Sequence, residues 1–139
     1  MAYWLLKTEP EEYSWDDQVK RGAKGEAWSG VRNFTARSNL KAMKTGDRAF
    51  FYHTGDEKQI VGIVEVIRES YKDPTDPKGV FLMVDVKAIE PVPKPVTLAA
   101  IKAEPKLKEM ALVKLSRLSV QPVTAAEWAK VCALGGVKP

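Results

Sequence analysis

Six consecutive residues, Trp28 to Asn33, combine side chains that suit recognition of a nucleobase. Trp28 lies in a polar, glycine-containing loop, where an aromatic face could stack on a base. Arg32 suits bidentate contact with a phosphate, and the Asn33 amide carries both a donor and an acceptor for a base edge. Each residue also has a structural interpretation, since Trp28 could fold over the core and Asn33 could cap the helix that follows. The residues alone leave both interpretations open.

Polar residues also close two predicted strands, which cover residues 3–7 and 48–53. Lys7, Thr8 and Glu9 end the first, and Tyr52 and His53 end the second. A strand end at the mouth of a barrel can face a ligand, although an ion pair, a turn and a structural histidine would explain the same residues. Successive strand residues alternate faces, so Lys7 and Glu9 share one face while Thr8 points away. This disfavours a catalytic cluster built from the run alone.

Several other kinds of chemistry lack the residues they need. The chain has one histidine, His53, and one cysteine, Cys132, whereas zinc sites usually take three or four ligands in known spacings. Neither of the common glycine-rich phosphate-binding patterns occurs. Cys132 falls on the apolar side of the last predicted helix, which favours a core position. The sequence therefore predicts no metal site and no cofactor.

The distribution of charge says more than the net charge of +4. Residues 20–48 carry a net +6, whereas the first nineteen residues carry a net −4. A phosphate-bearing partner would favour the basic side, although a solvated surface with ordinary clustering would give the same counts. The basic residues predicted to contact phosphates are Arg32, Arg37, Lys41 and Lys44.

Length and composition indicate one globular domain over residues 1–139, with 45% hydrophobic and 29% charged residues. No apolar run approaches the roughly 20 residues that span a bilayer, and the N-terminus lacks the features of a signal peptide. A single cysteine fits a reducing compartment. We therefore expect a cytoplasmic protein, associated with the nucleoid if bacterial, with no membrane partner.

The predicted elements are strands joined by short helices, which indicates an α+β class with a small curled sheet or barrel. Capping boxes at Ser14 and Thr124 begin two helices, and apolar spacing predicts a third over residues 33–43. The proline-rich stretch Pro91 to Pro95 is predicted to be an extended connector. Further strands are predicted over residues 60–67, 80–89 and 118–123, a loop over residues 71–79, and a bulge or close backbone approach at Gly62.

Ordered blocks of sequence along nearly the whole chain resemble the EVE domain family. The main blocks are Trp4 to Pro10, Trp28 to Asn33, Phe50 to Thr54, Val61 to Val64, Met83 to Val86 and Leu118 to Val123. The resemblance implies a PUA-like fold: a small mixed or antiparallel β-barrel decorated by short helices. It also implies kinship with YTH domains, which bind methylated adenine through an aromatic cage. The expected partner is DNA or RNA carrying a modified base, such as 5-methylcytosine or 5-hydroxymethylcytosine.

The relation to YTH domains puts Trp28 on a cage wall and Asn33 near the base edge. The remaining residues implied to line the site are Lys7, Thr8, Glu9, Ser29, Arg32, Tyr52, His53 and Ser119. A monomeric reader is the favoured interpretation. The alternatives are a small amidohydrolase of the PUA-like superfamily, using Lys7, Thr8 and Glu9 on a modified base, and a protein-interaction domain with a flat surface around Trp28.

Overall fold

The computed structural model describes residues 1–138, in which six strands form one mixed sheet in the order β2-β5-β4-β3-β1-β6. The strands are β1 Tyr3–Thr8, β2 Glu26–Ala27, β3 Arg48–His53, β4 Gln59–Lys72, β5 Leu82–Thr97 and β6 Val120–Val123. β1 runs parallel to β3, and the other neighbouring pairs are antiparallel. The predicted α+β class is confirmed. Within the described residues β2 and β6 are the sheet edges, so the sheet is open and is not closed into a barrel.

Among residues 1–138, four α-helices lie in the connections between strands, and a fifth follows β6. They are α1 Trp15–Lys20, α2 Phe34–Ala42, α3 Leu98–Ala103, α4 Ala111–Lys114 and α5 Ala125–Gly135. The predicted capping boxes are present, with Ser14 and Asp17 at α1 and Thr124 and Glu127 at α5. Each box satisfies backbone N–H groups that have no partner inside the helix. Across residues 1–138, no helix combines the length and apolar character needed to cross a bilayer.

The sheet is packed on both faces, which explains why β1 and β3 are almost continuously apolar. Leu5 and Phe50 point into one core, which also contains Trp128 and Cys132 of α5. Leu6 and Phe51, its partner on β3, point into the opposite core, which contains Trp28. The predicted core position of Cys132 is therefore confirmed, and burial raises the pKa of its thiol to about 11.

Two predicted boundaries in the β4–β5 hairpin were wrong. β4 continues to Lys72 and β5 begins at Leu82, so the connecting loop covers residues 73–81 rather than the predicted 71–79. Pro91 to Pro95 belong to β5, which runs on to Thr97; Pro91 pairs with Gly62 of β4, and the pairing resumes at Val96. Proline is tolerated there because β2 pairs with β5 only at Asp85 and Val86, so the other edge of the proline stretch has no strand beside it among the described residues.

Gly62 has both features that the sequence predicted. The β4–β5 register shifts between Ile60 and Gly62, which is a bulge-like irregularity. The Trp15 ring lies directly against Gly62, so that a Cβ atom at this position would overlap the indole. The close approach lets α1 dock on the sheet and fixes the segment that leads from β1 into α1.

Candidate nucleic-acid interface

A cavity of about 330 Å³ opens where β1 ends, between the turn after β1 and the loop after β2. Its volume is at the lower end of the range for small-molecule sites, about 300–1,000 Å³. The lining contains five residues predicted from the sequence and four that were not. The predicted ones are Lys7, Thr8, Glu9, Trp28 and Ser29, and the others are Glu12, Tyr13, Glu26 and Ala27.

Trp28 forms an inner wall of this cavity while belonging to the core. Its side chain is 7% exposed, and its ring packs edge-on against Phe51, with centroids 5.5 Å apart at 83°. Its backbone N–H donates to the Val84 carbonyl at 2.7 Å, which fixes the start of the loop. The indole therefore folds over the core, as one of the two interpretations expected, and it also borders a cavity.

Tyr13 supplies a second aromatic wall that sequence reasoning missed. Its ring lies 6.0 Å from the Trp28 ring at 77°, so two aromatic planes meet almost at a right angle. Its hydroxyl donates to Gln18 Oε1 at 3.0 Å, and burial together with the nearby charge of Glu26 raises the Tyr13 pKa to about 12. Its position in the sequence offered a signal. The residue immediately before a helix cap, here Ser14, commonly contacts the fourth residue of the helix, which is Gln18.

Lys7 separates this cavity from a neighbouring depression. Its Nζ donates to the Ser116 carbonyl at 2.7 Å and lies 5.9 Å from the centre of the Tyr52 ring. Burial lowers the Lys7 pKa below its usual value. Tyr52 lines the neighbouring depression, of about 280 Å³, together with Lys7 and Ser116. Tyr52 is therefore adjacent to the Trp28 cavity but not part of its lining.

Thr8 and Glu9 face the cavity but are held by the protein. The Thr8 hydroxyl donates to the Tyr13 carbonyl at 2.8 Å, and Glu9 Oε2 accepts from the Thr54 hydroxyl at 3.1 Å. With Lys7 donating to Ser116, each member of the alternative catalytic set has its own separate protein partner. These contacts shape the rim of the cavity and fix the turn that follows β1.

The cavity is acidic, with three carboxylates against the single ammonium of Lys7. Glu26 pairs with Arg21 at 3.2 Å and accepts from the Ala27 backbone at 3.2 Å. Glu12 is exposed, and its carboxylate has no hydrogen bond or ion pair with any other residue in 1–138. The Glu12 carboxylate is thus available to accept a hydrogen bond from a ligand.

Asn33, His53 and Ser119 do not line the Trp28 cavity. Asn33 caps α2, with its Oδ1 accepting from the Ala36 N–H at 2.9 Å, and borders a separate depression of about 320 Å³ beside Arg117. His53 is 7% exposed, accepts the Trp15 N–H at 3.0 Å and contacts Glu57 at 2.8 Å through its other nitrogen. Ser119 contributes its carbonyl to the Lys7 N–H at 2.9 Å. The structure gives these residues scaffolding contacts.

Arg32 is held by a buried carboxylate. Its Nη1 lies 3.2 Å from Asp73 Oδ2, and its Nη2 donates to the Thr75 hydroxyl at 2.8 Å. The same Asp73 oxygen accepts from the Gly30 N–H at 2.7 Å. Burial alone would raise the pKa of Asp73, but hydrogen bonds from Thr75, Gly30 and Arg32 outweigh it and hold the pKa at about 2. Arg32 thus fastens the loop after Trp28 to the β4–β5 connection.

Of the other predicted phosphate contacts, Arg37 and Lys41 lie on α2, and Lys44 lies two residues beyond its end. Lys41 and Lys44 are exposed, and Arg37 is half-buried, with its Nε donating to the Val80 carbonyl at 2.7 Å. α2 itself contains no acidic residue. The buried side of the helix carries Ala36 and Leu40. α2 therefore presents a basic surface. As a separate finding, residues 1–138 contain no group of three or more histidines, cysteines or carboxylates that could hold a metal ion.

An open mixed sheet with a small aromatic-walled cavity and a basic helix defines an α+β domain of PUA-like architecture. The sequence model described as the EVE domain matches residues 2–134, so the chain belongs to the EVE domain family. Thymocyte nuclear protein 1 from Gallus gallus is 35% identical, with 99% of this chain and 70% of that protein covered.

Solved structures agree with this assignment. An NMR structure of a Rhodopseudomonas palustris protein is 62% identical, with a TM-score of 0.93 over 98% of this chain and 94% of that one. The human THYN1 protein in complex with DNA containing 5-methylcytosine is 32% identical, with a TM-score of 0.90 over 100% of both chains. A YTH domain from Zygosaccharomyces rouxii, 17% identical with a TM-score of 0.60 over 99% of this chain and 88% of that one, shares the fold.

Proposed function

We propose that this chain binds nucleic acid that carries a modified base, and that the base enters the cavity beside Trp28. The observation that carries the proposal is the cavity itself, which has two aromatic planes nearly at right angles and a volume of about 330 Å³. The complex of the human relative with DNA containing 5-methylcytosine supports a modified cytosine as the base.

Trp28 and Tyr13 act as the walls of a two-sided aromatic cage. Stacking of a base on an aromatic side chain contributes about 1–3 kcal/mol. Trp28 is rigid because Phe51 packs against its ring, so little conformational entropy is lost on binding. A 5-methyl group buried in the cage adds about 0.8 kcal/mol, or roughly a fourfold preference over plain cytosine.

The carboxylates around the cavity favour a base with an exocyclic amino group. Carboxylate oxygens accept hydrogen bonds from cytosine N4, whereas thymine presents an acceptor at the same place. Glu12, whose carboxylate lacks a protein partner in residues 1–138, is the residue we assign to this contact. The same charge disfavours a phosphate inside the cavity, so the phosphates lie outside along the basic surface of Arg37, Lys41 and Lys44.

The test compares two equivalent tryptophan substitutions. Trp28→Phe narrows the cage wall, while Trp128→Phe changes a similarly buried indole in the opposite core. Binding of single-stranded oligonucleotides with one 5-methylcytosine or one cytosine is measured by fluorescence anisotropy at matched salt. We expect Trp28→Phe to abolish the preference for the methylated strand and Trp128→Phe to retain it, although both lower the melting temperature.

Equal binding of methylated and plain strands by the unmodified protein would refute the proposed function. Loss of the preference in both variants would also count against it, because the effect would then follow from general loosening rather than from the cage. Titration with free 5-methyl-2′-deoxycytidine, followed through the Trp28 indole N–H resonance, provides a check that does not depend on phosphate contacts.

A further inference from the structure

Phe34, the first residue of α2, is a large aromatic side chain that folding leaves 66% exposed. A single exposed apolar side chain is ordinary on a protein surface, so Phe34 indicates a partner only through the residues that surround it. Its ring is nevertheless braced by the protein, because it lies 5.1 Å from the Phe81 ring at 35°, and the Arg32 guanidinium lies 5.6 Å from that second ring. Phe34 is therefore an exposed side chain whose ring is held in place by its contact with Phe81.

Cations follow Phe34 along the same side of α2. Arg37 and Lys41 stand three and seven residues after it, which is the spacing that places side chains on one helix face. An aromatic ring followed by two cations, on a helix with no carboxylate, is complementary to a stacked base with its phosphates. The charge of this surface therefore selects nucleic acid over an apolar protein partner.

The cavity and Phe34 are joined through a single buried carboxylate. Asp73 accepts from the Gly30 N–H at 2.7 Å, two residues beyond the cavity wall at Trp28. It also lies 3.2 Å from Arg32 Nη1, and Arg32 packs on the ring that supports Phe34. Trp28 and Phe34 are six positions apart, so at most about 22 Å of chain joins them. Trp28 and Phe34 are therefore close enough to contact the same stretch of one duplex.

We propose that Phe34 inserts into duplex DNA beside the target and occupies the space that the extruded base leaves. The inference rests on the proposed function, because a base that enters the Trp28 cavity from a duplex must first leave the stack. Proteins that unstack DNA commonly insert an apolar side chain at the disrupted step. Phe34 then compensates for lost stacking, while Arg37 and Lys41 hold the phosphates alongside.

The test compares three substrates that carry one 5-methylcytosine: a matched duplex, a duplex with a mismatch at the target, and the single strand. Phe34→Ala is expected to weaken binding to the matched duplex by about tenfold, because unstacking and unpairing cost a few kcal/mol. The loss is smaller for the mismatched duplex, where the base is already partly free, and absent for the single strand. Phe34→Trp retains duplex binding.

Val19→Ala serves as the matched control, because Val19 is an apolar residue 49% exposed on another helix. It should leave all three affinities unchanged. Undiminished duplex binding by Phe34→Ala, or the same loss on all three substrates, would overturn the insertion role. The ratio of methylated to plain single strands reports on the cavity separately, so the failure of the proposed function is distinguishable from the failure of this inference.

Discussion

Replacing Asp73 by asparagine measures how strongly the loop after Trp28 is fastened to the rest of the fold. The carboxylate side chain is 0% exposed and accepts from Gly30, Thr75 and Arg32. Asparagine has nearly the same volume but carries no charge and presents an amide donor to groups that are themselves donors. We therefore expect the Asp73→Asn protein to fold with reduced stability and a loosened loop.

The magnitude follows from the pKa. Hydrogen bonds hold the Asp73 pKa at about 2, against 3.8 for an ordinary aspartate. A tenfold change in a proton-binding constant corresponds to about 1.36 kcal/mol, so the ionised form of Asp73 contributes about 2 kcal/mol of stability. Because the folded-state pKa is depressed, this contribution is complete above about pH 4 and is lost as the pH falls toward about 2.

Urea unfolding of both proteins, followed by tryptophan fluorescence between about pH 6 and pH 2, tests this reasoning. Other carboxylates with lowered pKa values, such as Asp47 and Asp76, weaken both proteins alike at low pH. The difference between the two proteins therefore isolates Asp73. It should shrink by about 2 kcal/mol over that range. A difference that stays constant with pH would refute the assigned pKa and the charge-assisted clamp.

Two further expectations concern the nucleic-acid interface. Arg37→Ala should weaken binding to methylated and plain strands alike and should reduce the slope of log K against log salt by about one. Anisotropy titrations at several salt concentrations measure both effects. A change in the methylation preference would contradict the role of Arg37 as a phosphate contact. Glu12→Gln should narrow the preference for 5-methylcytosine over thymine by about 1–3 kcal/mol, measured with matched single strands, whereas an unchanged preference would remove Glu12 from the base contact.

Much of the local structure could be predicted because its causes are local. The two capping boxes and the helix after Asn33 depend on residues three or four positions apart, and all three were confirmed. The proline stretch in β5 was misassigned because its tolerance depends on how far β2 extends along the neighbouring edge. That length is a property of the sheet, which the proline residues themselves do not encode.

The cavity could be predicted only in part, because local sequence patterns place some of its residues and contacts between distant segments place the others. Lys7, Thr8 and Glu9 end a strand, and strand ends are natural places for a site, so their position could be inferred from the pattern. The right-angle wall formed by Tyr13 depends on the docking of α1 against Gly62, which brings distant segments together. The contact between Arg32 and the buried Asp73 could not be inferred from the sequence, because Asp73 lies 41 residues further along the chain.

The opposite charges of the cavity and α2 explain how one small domain can handle the two parts of a nucleotide differently. A nucleobase is neutral and can enter a cavity rimmed by Glu9, Glu12 and Glu26, whereas a phosphate is repelled from it. In the proposed complex, the cations of α2 would attract the phosphates outside the cavity. Phosphate contacts would thus supply affinity without sequence or chemical preference, and contacts between the uncharged base and the cavity would supply discrimination. This division predicts that selectivity for the modified base depends much less on salt than affinity does.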